Sequence, residues 1–307
     1  MYASDLATAK RAILERYPEF ADSSFESDDS GWTNYAVKAD GKYLFRFPRN
    51  EEAYRAINKE YTILKLLNDK LPDNIRVPKY IYSSLESEYP YVGYRLIEGR
   101  FLTKDVFSGL SKEERRRTLD CMAEFLNTLH SVDYNVLNLA VTEPKEKYKN
   151  FYDKIQKVCF PYFENELKES SKKLFEDFFA DPTMHDYVPT LVHGDLSEDH
   201  ILITENGVGI IDFGDLTVFD PAYDFIWAYL CDFDFYQELI YKYRGNKDAY
   251  FEHRIRDFHM IRPPYDGIIY ADETGDKELL KKELHNLRDN LEKCRKSVSL
   301  FDESLML

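Results

Sequence analysis

The chain has 307 residues, 44% of them hydrophobic and 32% charged. That is apolar content enough for one large domain or two lobes, and it excludes global disorder. No run of about 18 uncharged apolar residues exists, the first residues lack the basic-then-apolar order of a secretory signal, and a formal charge of −15 disfavours nucleic acid and anionic membranes as partners.

Lys10 to Tyr17 has an amphipathic helical pattern stopped by Pro18. Tyr35–Ala39 and Tyr43–Phe47, joined through Asp40-Gly41, read as a β-hairpin, because Asp-Gly supplies the positive φ angles of a primed turn. Glu51 to Leu71 is a helix with Ile57, Tyr61, Leu64, Leu67 and Leu71 on one face. Tyr80–Ser83 and Tyr91–Ile97 read as strands. After Glu98-Gly99 the pattern becomes mostly helical, beginning with a capping box, Ser111 and Glu114, that opens a helix to about His130. Further helical patterns cover roughly 147–180, 222–243, 248–262 and 276–296. The reading is an α+β chain with a small sheet lobe over 1–97 and a larger, mostly helical lobe over 98–307. A connector near Ile97–Gly99 would join them across a shared cleft. The four cysteines (Cys121, Cys159, Cys231, Cys294) are scattered without a CxxC, which fits a reducing cytoplasm better than a disulfide scaffold or zinc site. A monomer is expected.

One strand-rich island, Thr190 to Phe219, interrupts the helices. Ile201–Thr204 and Val208–Ile211 are apolar runs joined by Asn206-Gly207, a second primed-turn signal. That hairpin brings Asp195, His200 and Asp212 to one edge. Phosphoryl transfer needs such a set: a carboxylate to orient the acceptor hydroxyl and take its proton, and two further ligands to hold Mg²⁺ against the phosphates. Either aspartate alone could be a turn or capping carboxylate. The spaced combination points to chemistry.

The pattern His193-Gly194-Asp195, then His200, then Ile211-Asp212-Phe213-Gly214-Asp215 resembles the aminoglycoside phosphotransferase family. That family has the bilobal fold of the eukaryotic-type protein kinases, with HGD or HND where kinases have HRD. The resemblance is tightest over 190–227 and collinear over 30–130. It implies Asp195 as the catalytic residue, Asp212 and His200 as metal ligands, and Mg²⁺ with GTP or ATP as phosphoryl donor. The histidine at 200 is similar to the 2″-aminoglycoside and macrolide phosphotransferase branches. His193 braces the loop by hydrogen bonds, Asp220 caps a helix starting at Pro221, where proline suits the first helical position, and Asp224 resembles the helix carboxylate that braces the catalytic loop. Asp215 could serve metal or substrate.

For the nucleotide, the resemblance implies Arg46 and its partner Glu60 at the phosphates, Ser30 in the phosphate loop, and Ile97, Leu202 and Ile211 around the base. Arg46 stands where kinases place lysine, and keeps the charge with bidentate capacity. The loop Asp29–Asn34 holds one glycine rather than GxGxxG. Tyr94 stands at the gate of the base pocket; a bulky tyrosine there accompanies GTP use in the family.

The acceptor is less defined. Residues 98–307 carry 27 basic and 41 acidic side chains, against 14 and 15 in 1–97, which serves solubility or receives a cationic ligand. Asp199, Asp232, Asp234 and Glu238 are the candidate carboxylates for a polyamine antibiotic. Tyr229-Leu230-Cys231 replaces the acidic segment of the 2″-aminoglycoside enzymes. The aromatic stripe Phe225, Trp227, Tyr229, Phe233, Phe235 and Tyr236 either packs a core or lines the site for a greasier macrolide, although the macrolide branch carries DWTEA rather than DFGD. The expected activity is transfer of the γ-phosphoryl of GTP or ATP to a hydroxyl of an aminoglycoside, conferring resistance. A macrolide kinase, a housekeeping kinase for an amino alcohol or sugar, and a nucleotide-binding pseudokinase are the alternatives.

Overall fold

A computed structural model describes the backbone of residues 1–28, 33–137, 139, 141 and 143–304, with side chains at all of these except 136–137 and 293–304. Residue contacts divide the chain into two compact units. One comprises Met1–Leu139, Leu191–Thr217 and Trp227–Gly245; the other comprises Ala140–Thr190, Val218–Ile226 and Asn246–Leu307.

The first unit begins with α1 (Leu6–Arg16), capped by the Asp5 carboxylate on Thr8 N–H. β1 (Phe25–Asp28), β2 (Asn34–Ala39) and β3 (Tyr43–Pro48) follow. Asp40 and Gly41 take φ of 53° and 63°, and Lys42 N–H donates to the Ala39 carbonyl, so the Asp-Gly pair forms the tight turn it predicts. Strand alternation sorts the side chains. Tyr35, Val37, Ala39, Phe45 and Phe47 enter an apolar core with Ala9 and Ile13 of α1 and with Phe20, which leaves Arg46, between two core phenylalanines, on the opposite face.

α2 (Glu51–Lys70) is capped by Asn50 on Ala53 N–H and buries Ala53, Ile57, Glu60, Ile63, Leu64 and Leu67. The expected face therefore rotates: Tyr61 and Leu71 stay half-buried, while charged Glu60 goes inside because Arg46 meets it there. β4 (Ile75–Arg76), β5 (Tyr82–Ser83), β6 (Val92–Arg95) and β7 (Arg100–Phe101) are shorter than the apolar runs suggest. β1-β2-β3-β6-β5 form an antiparallel five-stranded sheet. The short α3 (Lys104–Ser108) precedes α4 (Lys112–His130), which opens with the Ser111–Glu114 capping box.

The second unit takes up the chain with α5 (Pro144–Val158) and α6 (Asn165–Ala180). The single helical stretch expected over 147–180 is split by a 3₁₀ turn at Phe160–Tyr162, because Pro161 cannot donate within a helix. β8 (Thr190–Val192) leads back to the first unit, where β9 (Ile201–Ile203) and β10 (Val208–Ile210) form the expected hairpin. With β4 and β7 they make a second sheet ordered β4-β10-β9-β7.

The Asn206-Gly207 turn is not of the expected kind. Among the described residues positive φ occurs at Asp40, Gly41, Gly194, Asp212 and Gly275, not at 206 or 207. The loop runs over four residues, Thr204–Gly207, and closes through Thr204 N–H to Gly207 O, a length that needs no primed turn. Gly207 answers to a different demand: a Cβ there would lie 1.9 Å from the Asn74 backbone oxygen.

β11 (Thr217–Phe219) is followed by a 3₁₀ turn at Pro221–Phe225, α7 (Ile226–Cys231) and α8 (Phe233–Lys242). Asp232 caps α8 and so breaks the expected 222–243 helix. In the second unit, α9 (Phe251–Arg254) runs into a π-helical turn at Ile255–His259. α10 (Pro263–Thr274), which the sequence reading lacks, begins with two prolines in its first turn, where prolines are tolerated. α11 (Lys277–Ser304) ends the described chain. Aromatic rings fill this unit's core, with Phe258 4.2 Å and Tyr148 4.5 Å from Phe178, centroid to centroid. Among the described residues no helix is long and apolar enough to cross a membrane.

Candidate active site

The first unit contains the whole Asp195–His200–Asp212 island and the Arg46 strand. β8 delivers His193, Gly194 and Asp195. His193 is wholly buried. Its Nε2 lies 3.1 Å from the Ile211 carbonyl, to which it donates, and its Nδ1 accepts from Asp195 N–H at 3.3 Å. Both loop ends are thereby held by one imidazole. Gly194 has φ 85°, a conformation that L side chains resist.

His200 sits where the loop enters β9. Its Nδ1 is 2.7 Å from the Asp195 backbone oxygen. A carbonyl accepts only, so Nδ1 carries a proton and Nε2 is the ring nitrogen left facing outward. It faces Asp212 Oδ2 at 3.8 Å, and the Asp195 carboxylate approaches Nδ1 at 3.3 Å. Asp195 and Asp212 keep about half of their side-chain surface open, 51% and 52%. Asp212 adopts φ 61°, left-handed backbone for a non-glycine residue, which costs energy and concentrates at functional sites.

Arg46 closes the other side. Its Nη1 donates to both Glu60 oxygens at 2.7 and 2.9 Å, and its Nη2 lies 3.8 Å from Asp212 Oδ1. Burial opposes the charge, but Glu60, Tyr80, Tyr94 and Asp212 together raise the guanidinium well above its ordinary value, so Arg46 is a fixed cation. Tyr94 is buried, which pushes its hydroxyl up to about 12, with Glu60 and Asp212 adding to the rise and Arg46 opposing it. The structure therefore brings Arg46, Glu60, Tyr94, Asp195, His200 and Asp212 into one neighbourhood.

The remaining candidates spread further. Ser30 lies outside the described residues. Ile97 is half-buried, and a Cβ on Gly209 would lie 2.6 Å from its Cγ2. Leu202 is buried opposite Gly209, and Ile211 is half-buried. Asp199, Asp234 and Glu238 are exposed, the last two one turn apart on α8. Asp232 already accepts from Phe235 N–H at 2.9 Å and sits 3.6 Å from Arg115. Most of the aromatic stripe is core: Phe225, Trp227, Phe235 and Tyr236 are buried and Tyr229 is half-buried, whereas Phe233 is 55% exposed and its neighbour Leu230 49%.

Asp220 and Asp224 are fully buried in the second unit. Asp220 caps the 3₁₀ turn on Ala222 N–H and also binds Arg254 and His259. That anchoring has no local sequence signal. Two further residues also escape sequence reading. Tyr80 contacts Nη1 at 3.0 Å. Lys59 donates to the Leu216 carbonyl, and burial lowers its ammonium below the usual value against the pull of Asp215 and Glu60.

Among the described residues no group of three or more His, Cys, Asp or Glu is arranged to hold an ion by itself. The donors nonetheless suit an ion shared with phosphate. His200 Nε2 and an Asp212 carboxylate oxygen face each other at 3.8 Å, within the span of two ligands on one cation, and Mg²⁺ commonly takes one or two carboxylates with phosphate and water completing its shell, the imidazole being the less usual ligand.

An antiparallel N-terminal sheet followed by a mostly helical chain is a kinase-like fold, and known structures share it. The GDP and kanamycin complex of APH(2″)-IIIa matches with a TM-score of 0.82 and 25% identity, covering 93% of this chain and 98% of that one. The macrolide 2′-phosphotransferase MphH from Brachybacterium faecium shares the fold at a TM-score of 0.63 and 19% identity, over 86% of this chain and 92% of that one. Residues 24–259 match the model of the phosphotransferase enzyme family, and the chain belongs to that family. Among curated proteins, the uncharacterized protein YcbJ of Bacillus subtilis (strain 168) is 25% identical over 211 residues. The match takes in 66% of this chain and spans 64% of YcbJ.

Proposed function

We propose that this protein transfers the γ-phosphoryl group of GTP, with ATP as the alternative donor, to a hydroxyl of an aminoglycoside antibiotic and so confers resistance. The observation that supports this reading is the meeting of Asp195, His200 and Asp212, with side-chain approaches of 3.3 and 3.8 Å, beside the Arg46–Glu60 pair. Asp195 orients the acceptor hydroxyl and takes its proton while that oxygen bonds to the γ-phosphorus and the nucleoside diphosphate leaves. Arg46, held by Glu60, grips the phosphates, with Ser30 assisting. His200 and Asp212 would hold Mg²⁺, which when bound neutralises phosphate charge. Ile97, in the connector between residues 1–97 and 98–307, offers backbone groups to the purine; Leu202 and Ile211 pack on its faces, and Tyr94 at the gate favours guanine. His193, Asp220 and Asp224 support the fold. Asp199, Asp234 and Glu238, being exposed, suit the ammonium groups of the acceptor better than Asp232, whose carboxylate is already engaged.

The exposed Leu230 and Phe233 favour a second reading, a macrolide acceptor. Turnover with GTP and ATP against kanamycin, a macrolide and an amino alcohol separates the readings. Kanamycin with GTP is the expected pair, and Asp195→Asn lowers turnover about 10²–10⁴-fold while leaving GDP affinity near wild type. Turnover of the macrolide alone supports the second reading. Activity on the amino alcohol alone overturns both. An equal or better kcat/KM with ATP refutes the donor preference.

A further inference from the structure

Arg46 has five N–H donors, and its pairing with Glu60 through Nη1 leaves the roll of the guanidinium about that contact to be fixed. The Tyr80 hydroxyl fixes it, 3.0 Å from Nη1. Burial first, then Glu60, pushes this hydroxyl well above the ordinary phenol range, so it stays protonated. It accepts from Arg46 Nη1, the same nitrogen that donates to both Glu60 oxygens, so the two partners together fix the plane of the guanidinium. Its own position is set by aromatic packing. Tyr61 of α2 stacks on it at 6.1 Å with an interplanar angle of 7°, and Tyr94 meets it edge-on at 5.7 Å and 63°. Held so, Arg46 turns Nη2 toward Asp212 Oδ1 at 3.8 Å, the side on which a donor phosphate would lie. A lysine ammonium, being a compact point charge, has no plane to orient. The substitution of arginine for lysine thus creates a requirement that Tyr80 meets.

We propose that Tyr80 is a positioning residue for the phosphoryl donor: its hydroxyl sets the plane of the Arg46 guanidinium so that Nη2 faces the phosphates. The inference rests on the donor role given above to Arg46. It concerns nucleotide binding alone, so its test needs no acceptor. GDP is titrated calorimetrically into wild type, Tyr80→Phe, Tyr61→Phe, Arg46→Lys and the Tyr80→Phe/Arg46→Lys double variant. Tyr80→Phe keeps the ring and its packing. It is expected to weaken GDP about tenfold, the scale of one hydrogen bond to a charged group, with Tyr61→Phe within about twofold of wild type. In the Arg46→Lys background the same hydroxyl loss is expected to cost less than about twofold, because the plane it fixed is gone. Wild-type affinity in Tyr80→Phe overturns the inference, as does a loss of equal size in both backgrounds, which would mark a general packing effect. Wild-type protein that binds neither GDP nor ADP would instead overturn the donor reading, and the inference with it.

Discussion

A Cβ on Gly194 would lie 2.4 Å from the backbone oxygen of Asp215, so the loop bearing Asp195 and the segment following Asp212 touch through a residue with no side chain. The φ of 85° at Gly194 makes the same demand independently. Protein kinases carry arginine between the corresponding His and Asp; here the path of the chain excludes it.

Gly194→Ala must therefore push Asp195 and Asp212 apart. A misplacement approaching 1 Å in a phosphoryl-transfer site costs on the order of 10²-fold in turnover, whereas the backbone strain costs about 1–3 kcal/mol. The expected outcome is a drop in kcat far larger than the fall in Tm accounts for. Steady-state kinetics and calorimetry on the same preparation check it, and an unchanged kcat would refute the coupling.

Asp212 stores strain of its own, at φ 61° with half of its carboxylate surface open. Replacement by glycine relieves the left-handed backbone, and removes the oxygens 3.8 Å from His200 and Arg46. Asp212→Gly should abolish phosphoryl transfer, by at least about 10²-fold, while Tm stays at or above the wild-type value. A variant that loses both activity and several degrees of Tm would show that the carboxylate is structural.

The features that sequence reading reaches are those whose partners lie close in the chain. Asp40-Gly41 specifies its turn, and Ser111 with Glu114 specifies a helix start. The spacing from Asp195 through His200 to Asp212 spans one hairpin, so the three side chains could be expected to meet. Tyr80 could not be singled out, because it acts on Arg46 34 positions earlier, and nothing in Pro78-Lys79-Tyr80 marks a buried hydroxyl. α10 falls between the helical patterns over 248–262 and 276–296, and its two prolines occupy a helix's first turn, where they do not interrupt it. Asn206-Gly207 joins the expected hairpin but not through a primed turn. Its glycine answers to the Asn74 carbonyl, a tertiary neighbour, rather than to the local turn.

The buried network of the second unit has the same long-range character. Arg254 donates to both Asp220 oxygens at 2.6 and 3.2 Å and to Asp248 at 2.7 and 3.0 Å, and His259 Nε2 lies 2.8 Å from Asp220. Burial opposes the Asp220 charge, yet His259 and Arg254 hold its carboxyl below the usual range. Asp220→Ala leaves the buried guanidinium with Asp248 as its one remaining carboxylate and takes the carboxylate from His259, and should cost about 3–5 kcal/mol in urea unfolding. Replacing both partners, as Asp220→Leu with Arg254→Met, should recover a large part of that loss. A double variant as unstable as the sum of the two single ones would show that the charges do not act as a pair.

His253 predicts a pH dependence of the opposite sign to that of a carboxylate. Its Nδ1 faces Asp257 at 2.5 Å and its Nε2 faces Asp181 at 3.3 Å. Hydrogen bonding to Asp257, and then to Asp181, raises the imidazole above its ordinary value, against burial and the nearby Arg256. Both carboxyls are lowered in turn, Asp257 against its own burial by Arg256 and His253, and Asp181 through Thr183 and His253, so they remain charged throughout the titration of His253. A group with a raised folded-state pKa contributes its full stabilisation below its unfolded value of 6.5 and loses it as pH rises through the folded value. The Tm difference between wild type and His253→Gln should therefore be largest near about pH 5.5 and shrink toward about pH 8.5. His259 is buried and lowered, first by desolvation and then by Arg262 and Arg254 against the pull of Asp220, so it titrates in both proteins and cancels in the difference. Calorimetric scans of the pair across that range measure the effect. A difference that stays flat, or widens with rising pH, would show that the imidazole between Asp181 and Asp257 is not held as the cation.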